Sequence, residues 1–194
     1  MPSATHGWAT GAFGTLLSTG DGGHTWRSIG QRLDNPQGMH LNAIAPAGGG
    51  RLLIAGESGT LFLSSPDWMN WRALDTPYRG TWFGALYLRD RGRLLVFGLQ
   101  GNAWYSDNNG QDWLAGGAGS ENSLAGGYTD HRGNVLLAGG VGLVLVSRDS
   151  GETFEPLQLR LRESLSSVLQ ISRDELVTVG MGGVRLIELE RTEE

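Results

Sequence analysis

The sequence of 194 residues contains no cysteine, which excludes disulfides, thiolate metal sites and cysteine nucleophiles. Proline is scarce at 6 residues, whereas glycine reaches 32 without a collagen period or a low-complexity tract. That much glycine suits an all-β protein with frequent tight turns. Charged residues make up only 18% and the net charge is -5, with the 15 basic residues scattered. No basic footprint for nucleic acid results, so nucleic acid is not expected as a partner. No apolar run approaches the roughly 18 residues that span a bilayer, and Met1-Pro2-Ser3-Ala4-Thr5-His6 has neither the basic nor the apolar region of a secretory signal. As it stands the sequence reads as a soluble chain without direct membrane insertion.

What is present is a repeat. Thr19-Gly20-Asp21-Gly22-Gly23-His24-Thr25-Trp26 returns as Ser147-Arg148-Asp149-Ser150-Gly151-Glu152-Thr153-Phe154. Two worn copies lie between them, starting at Ser64 and Ser106 and closing on Trp71 and Trp113. A second register agrees: Gly-x-x-Gly occurs at 11/14, 56/59, 98/101, 139/142 and 180/183, in steps of 45, 42, 41 and 41 residues. A period of about 40 to 45 residues indicates a solenoid or propeller. Short apolar runs such as Leu94-Leu95-Val96-Phe97 flank each glycine pair and read as strands joined by a tight hairpin.

The fold class predicted is therefore all-β, a β-propeller of about five four-stranded antiparallel blades forming a single domain over residues 1–194. The units fall at approximately 7–30, 40–75, 81–117, 122–159 and 164–190. The first unit lacks its innermost strand and the fifth its outermost, so both terminal blades are expected to have three strands. Open strand edges seek partners. The arrangement predicts the C-terminal part of a larger propeller, with a five-bladed ring with thinned terminal blades or a homodimer through open blade edges as the alternatives.

In each octet the Asp and the hydroxyl residues are placed to tie the turn between strands three and four, the Gly takes a left-handed backbone, and the aromatic packs between blades. Thr19, Asp21, Gly23, Trp26, Ser147, Asp149, Gly151 and Phe154 are the structural residues of the two intact copies. Pro66 and Asn108 replace the Asp in the worn copies, so those corners are expected to be less well tied. One carboxylate and one hydroxyl are too few oxygens for a divalent-metal loop; neither a metal nor a cofactor is expected. Histidines stand at 6, 24, 40 and 131, with no metalloprotease spacing; His131 falls beside Gly133 in a hairpin turn. The Gly-x-x-Gly pairs join two strands with no helix following, so they are not phosphate loops.

Alternating strand directions put the octet turns on one face and the Gly-x-x-Gly hairpins with the blade-to-blade connections on the other. The longer, chemically richer segments belong to the second face. Because loops on rigid scaffolds carry function, the expected binding surface is Arg32, Asp34, His40, Glu57, Tyr78, Arg79, Trp82, Gln100, Arg160 and Arg162. Tyr78, Arg79 and Trp82 are residue types that anchor interfaces, although Trp82 opens a strand and reads equally as core.

The octets resemble the Asp-box, or BNR, repeat Ser/Thr-x-Asp-x-Gly-x-Thr-Trp, and Gly7 to Leu17 is similar to the preceding strand pair in photosystem II stability/assembly factors. Arg32 to Leu41, Pro77 to Gly84 and Phe97 to Asn102 most resemble a non-photosynthetic bacterial branch associated with RND-type exporters. The resemblance implies a propeller of seven or a similar number of blades, a non-enzymatic scaffold that assists assembly of a membrane complex such as an exporter through a protein partner, and a periplasmic or otherwise exported location. Asp-boxes also occur in sialidases, which makes a carbohydrate-active or glycan-binding protein the alternative. That chemistry requires a three-arginine clamp, a Tyr nucleophile and facing carboxylates. Asp34, Glu57 and Glu163 are the carboxylates on the loop face, and solvated surface charge is the simpler reading of each.

Overall fold

The computed structural model describes residues 5–130 and 132–189. His131 lies outside the described residues. Among the described residues five antiparallel sheets follow one another. Blade 1 is β1 (Gly7–Thr10), β2 (Leu16–Thr19) and β3 (Arg27–Ser28). Blade 2 is β4 (Leu41–Pro46), β5 (Leu52–Gly56), β6 (Leu61–Ser64) and β7 (Trp71–Ala73). Blade 3 is β8 (Trp82–Leu88), β9 (Arg93–Gly98), β10 (Ala103–Ser106) and β11 (Leu114–Ala115). Blade 4 is β12 (Leu124–Thr129), β13 (Val135–Gly139), β14 (Val144–Ser147) and β15 (Glu155–Pro156). Blade 5 is β16 (Leu165–Gln170), β17 (Glu175–Gly180) and β18 (Gly183–Glu188). Each sheet is a simple meander in chain order, and the end sheets have three strands.

Alternation along each strand builds the core. Successive side chains point to opposite faces, and because both faces of an inner blade meet another blade, the second strands β5, β9 and β13 are buried at every position. In β5, Ile54 packs with Leu16, Ile29 and Phe62 in the seam between blades 1 and 2. Its neighbours Leu53 and Ala55 pack with Leu94, Val96 and Trp113 in the next seam. In β9 the parity repeats: Leu95 and Phe97 turn to Val135, Leu137 and Phe154 of blade 4. Leu136, Ala138 and Val144 then meet Leu165, Val168 and Leu176 of blade 5. Four apolar seams thus hold five blades. Trp113 and Phe154, each 7% exposed, lie in the seam with the blade before their own. Trp26 is 44% exposed because no blade among the described residues precedes it.

Among the described residues nothing covers the far face of blade 5. Val179 pairs with Val184 and Val177 with Leu186, and paired residues share a face. Leu169, Ile171, Val179, Val184 and Leu186 are all exposed, Val184 at 72%. The same strand parity that buries Leu95 and Phe97 in blade 3 and Leu136 and Ala138 in blade 4 leaves these side chains in water.

The Gly-x-x-Gly hairpins of blades 2 to 5 are latched to the connection entering each blade. The second residue donates its amide to a connection carbonyl: Glu57 to His40 at 3.0 Å, Leu99 to Thr81 at 2.9 Å, Gly140 to Ser123 at 3.0 Å and Met181 to Ser164 at 3.0 Å. The same carbonyl presses on the first glycine, so a Cβ at Gly98 would collide with the Thr81 oxygen. Gly98→Ala is expected to cost about 1–3 kcal/mol through that overpacking. Gly20→Ala, where a Cβ meets nothing within 4 Å, should stay within about 0.5 kcal/mol of wild type. Urea unfolding of the two variants checks the contrast.

Candidate functional site: the hairpin face and the octet face

The octets form a hydrogen-bond cage. Thr19 Oγ1 donates to Asp21 Oδ1 at 2.7 Å and accepts from the Gly23 amide at 3.0 Å. Asp21 in turn accepts from the Thr25 amide at 2.9 Å and the Thr25 hydroxyl at 2.6 Å. Ser147, Asp149, Gly151 and Thr153 repeat the pattern, with Ser147 to Asp149 at 2.7 Å and the Gly151 amide to Ser147 at 2.7 Å. Hydrogen bonds from Thr25 and Thr19 bring the Asp21 pKa down to about 2. At Asp149 burial pushes upward, but hydrogen bonds from Thr153, Ser147 and Glu152 outweigh it and bring the value to about 2.

The third octet departs from expectation. It is tied as fully as the intact copies, because Asn108 and Asp112 exchange the usual roles: Asn108 Oδ1 accepts from the Asp112 amide at 2.9 Å while its Nδ2 donates to Asp112 Oδ2 at 2.8 Å. Ser106 Oγ completes the cage, accepting from Gly110 at 2.8 Å. The second octet shifts by one residue. Ser65 and Asp67 hydrogen-bond each other, and Trp68 Nε1 donates to Gly50 O at 2.7 Å across the adjoining turn.

Arg93, which sequence reading passed over, links two octets. Its side chain is 3% exposed and contacts Asp107 at 2.6 Å and Glu152 at 3.1 Å, donates to Ser150 O at 2.9 Å and lies 3.9 Å over the Tyr105 ring. Its bonds hold the Asp107 carboxyl below the usual range. The only sequence signal was an arginine at the start of a wholly apolar strand.

On the hairpin face the expected binding residues fall into separate neighbourhoods. Asp34 and Arg79 line one small cleft of about 210 Å³ with Asn35, Met39 and Asp75. Asn35 staples this loop, its side chain exchanging two 3.0 Å hydrogen bonds with the Met39 backbone. His40 and Glu57 sit side by side, Nδ1 to Oε1 at 3.6 Å, with the His40 amide donating to Glu57 Oε2 at 3.1 Å. Phe13 meets the His40 ring edge-on at 4.8 Å. Tyr78 donates its hydroxyl to Leu99 O at 3.1 Å, next to Gln100, whose amide points to Ser123 Oγ at 3.4 Å. Arg160 and Arg162 stand on the connection into blade 5, beside the Glu163–Arg185 ion pair at 2.8 Å.

Two assignments are corrected. Trp82 is 0% exposed and belongs to the core between blades 2 and 3, where it packs under Tyr78 at 4.8 Å; opening a strand that is buried on both faces fixes it there. Arg32 leaves the hairpin face and donates to Trp68 O at 3.3 Å, beside the second octet.

Sequence reading named Gln100 but missed the other hairpin apices. Phe13, Gln100 and Val141 hold left-handed φ of 54–57°, each followed by a glycine near 70°, which turns the side chain outward. Phe13 is 81%, Val141 65% and Met181 87% exposed on this one rim. Their signal was an apolar residue inside Gly-x-x-Gly.

A rigid rim of latched hairpins on stacked antiparallel blades defines a propeller-type repeat protein. No family model matches the chain, and no curated protein matches it. Among solved structures, YCF48 bound to D1 peptide has a TM-score of 0.75 at 20% identity, covering 95% of this chain and 60% of that one. YCF48 from Cyanidioschyzon merolae gives 0.72 at 17% identity, over 97% and 64%. The extracellular domain of the one-component system BT4673 from B. thetaiotaomicron gives 0.72 at 13% identity, over 97% and 27%. The chain thus has a YCF48-like propeller fold and spans less than two thirds of the length of these neighbours.

Asp149 supplies a pH test. Its pKa of about 2 lies below the ordinary value for an aspartate, so its contribution is present above that ordinary value and lost as pH falls toward about 2. At neutral pH Asp149→Ala should cost about 1–2 kcal/mol. The difference in urea midpoint between wild type and Asp149→Asn should narrow as pH drops from about 5 to about 2.

Proposed function

We propose that the protein is a non-enzymatic scaffold that binds a segment of a partner protein across its hairpin face. The observation that carries this is the rim itself, where Phe13, Val141 and Met181 project into solvent on the face that also carries Arg79 and Tyr78. Apolar anchors beside arginine and tyrosine are the composition of protein interfaces. All 15 basic residues of the chain are arginine, the cation suited to carboxylate and peptide recognition. The YCF48 neighbour holding a D1 peptide supports a peptide as the kind of ligand. By the resemblance of its octets and loops, the partner belongs to a membrane complex such as an exporter, and the protein works outside the cytoplasm.

A sialidase-like reaction is not supported. Arg32 is bonded to the Trp68 carbonyl, Arg79 lines the Asp34 cleft, and Arg160 lies on the connection into blade 5, so these arginines do not face a common point.

The test is photocrosslinking from a reactive amino acid at position 13 or 79, with position 148 on the octet face as control. Adducts with a membrane-complex protein from 13 and 79, lost on Arg79→Glu and on Phe13→Ser, are the expected result. Equal adducts from 148, or none from the rim, would overturn the reading. The bare face and edge of blade 5 further lead us to propose a homodimer through blade edges. Light scattering should show mass above the 20.8 kDa of one chain rising with concentration, and Val184→Arg with Leu186→Arg should return it to monomer. A monomer at every concentration contradicts the edge pairing alone.

A further inference from the structure

We propose that the crevice between blades 1 and 2 on the octet face is a binding site for a neutral saccharide, separate from the hairpin face. The next two seams are strapped shut at this level. Between blades 2 and 3, Arg72 donates to Asn109 O at 2.5 Å; between blades 3 and 4, Gly117 bridges to Thr153 and Arg93 spans both octets. Between blades 1 and 2 the equivalent of Arg72 is Arg27, which has no hydrogen bond or ion pair among the described residues, and the link there is Arg32, which donates to Trp68 O at 3.3 Å at the crevice wall. The space left open is about 540 Å³, inside the range of about 300–1,000 Å³ of small-ligand sites.

Its wall is aromatic. The Trp8 and Trp68 rings meet at 4.6 Å, and His6 lies 5.4 Å from Trp68. Its rim is polar and electrically balanced, with Arg27 and Arg32 opposed by Asp21 and Asp67. Asp67 Oδ2 accepts no hydrogen bond among the described residues, so both an acceptor and the Arg27 donors remain available.

That combination selects by chemistry. An anion would face two carboxylates, and Asp21 stays ionised to about pH 2. A cation would face two guanidinium groups, and an apolar ligand would strip water from all four charges. A sugar ring fits: its C–H face, slightly positive, lies against the negative face of an indole, and each hydroxyl can accept from an arginine while donating to a carboxylate.

The experiment is titration of the full chain with cellobiose, maltose and N,N′-diacetylchitobiose, read by tryptophan fluorescence and saturation-transfer NMR. Saturable binding of at least one is expected at millimolar concentration, weakened about tenfold or more by Trp68→Ala and by Arg27→Ala and unchanged in Arg148→Ala. Arg27→Ala separates ligand loss from misfolding, since Arg27 is exposed and anchors nothing. No saturation with any of the three, binding indifferent to both variants, or binding of an acidic peptide in the crevice without sugar binding would overturn the proposal.

Discussion

The apolar seam between successive blades is the interaction on which the rest of the structure depends. A strand of period two buries alternate residues on opposite faces, so an inner blade is stable only with a neighbour on each side. Leu53 and Ile54 are adjacent in sequence, both 0% exposed, yet serve different seams. Removing one blade would therefore expose two faces at once. The bare positions of Trp26 at one end and Val184 and Leu186 at the other follow from the same rule.

Two local devices set the spacing that lets the seams form. The octet cage fixes the corner between strands three and four, and the hairpin latch fixes where the chain enters each blade. What the cage requires is a donor and acceptor geometry, not fixed residue types. The Asn108–Asp112 exchange satisfies it with the carboxylate moved to the other partner. The latch is stricter, because backbone presses on backbone and only glycine leaves room at Gly56, Gly98, Gly139 and Gly180.

Much of this was legible in the sequence because it is periodic. The glycine pairs, apolar runs and octets gave the five blades, the three-stranded ends and the two-faced layout. Seam aromatics such as Trp113 and Phe154 could be placed for the same reason. What does not repeat was harder to read. Trp82 is of a type common at interfaces, yet its strand is buried on both sides. Arg32 sits in a loop whose direction no pattern fixes, and Arg93 acts through octets 14 and 59 residues away in the chain. The open crevice arises where Arg27 makes no strap, visible only when this seam is compared with the next two.

The two rims consequently differ in kind. The hairpin face offers rigid, exposed apolar apices with arginines, while the octet face is a set of self-satisfied cages broken at one place. Both depend on the seams holding the blades in line, and that dependence is most directly measured by amide hydrogen exchange resolved along the chain. The account predicts the slowest exchange in β9 and β13, which lie between two seams, and clearly faster exchange in β18, which has an open edge and a bare face. Protection of β18 equal to that of β9 would contradict it.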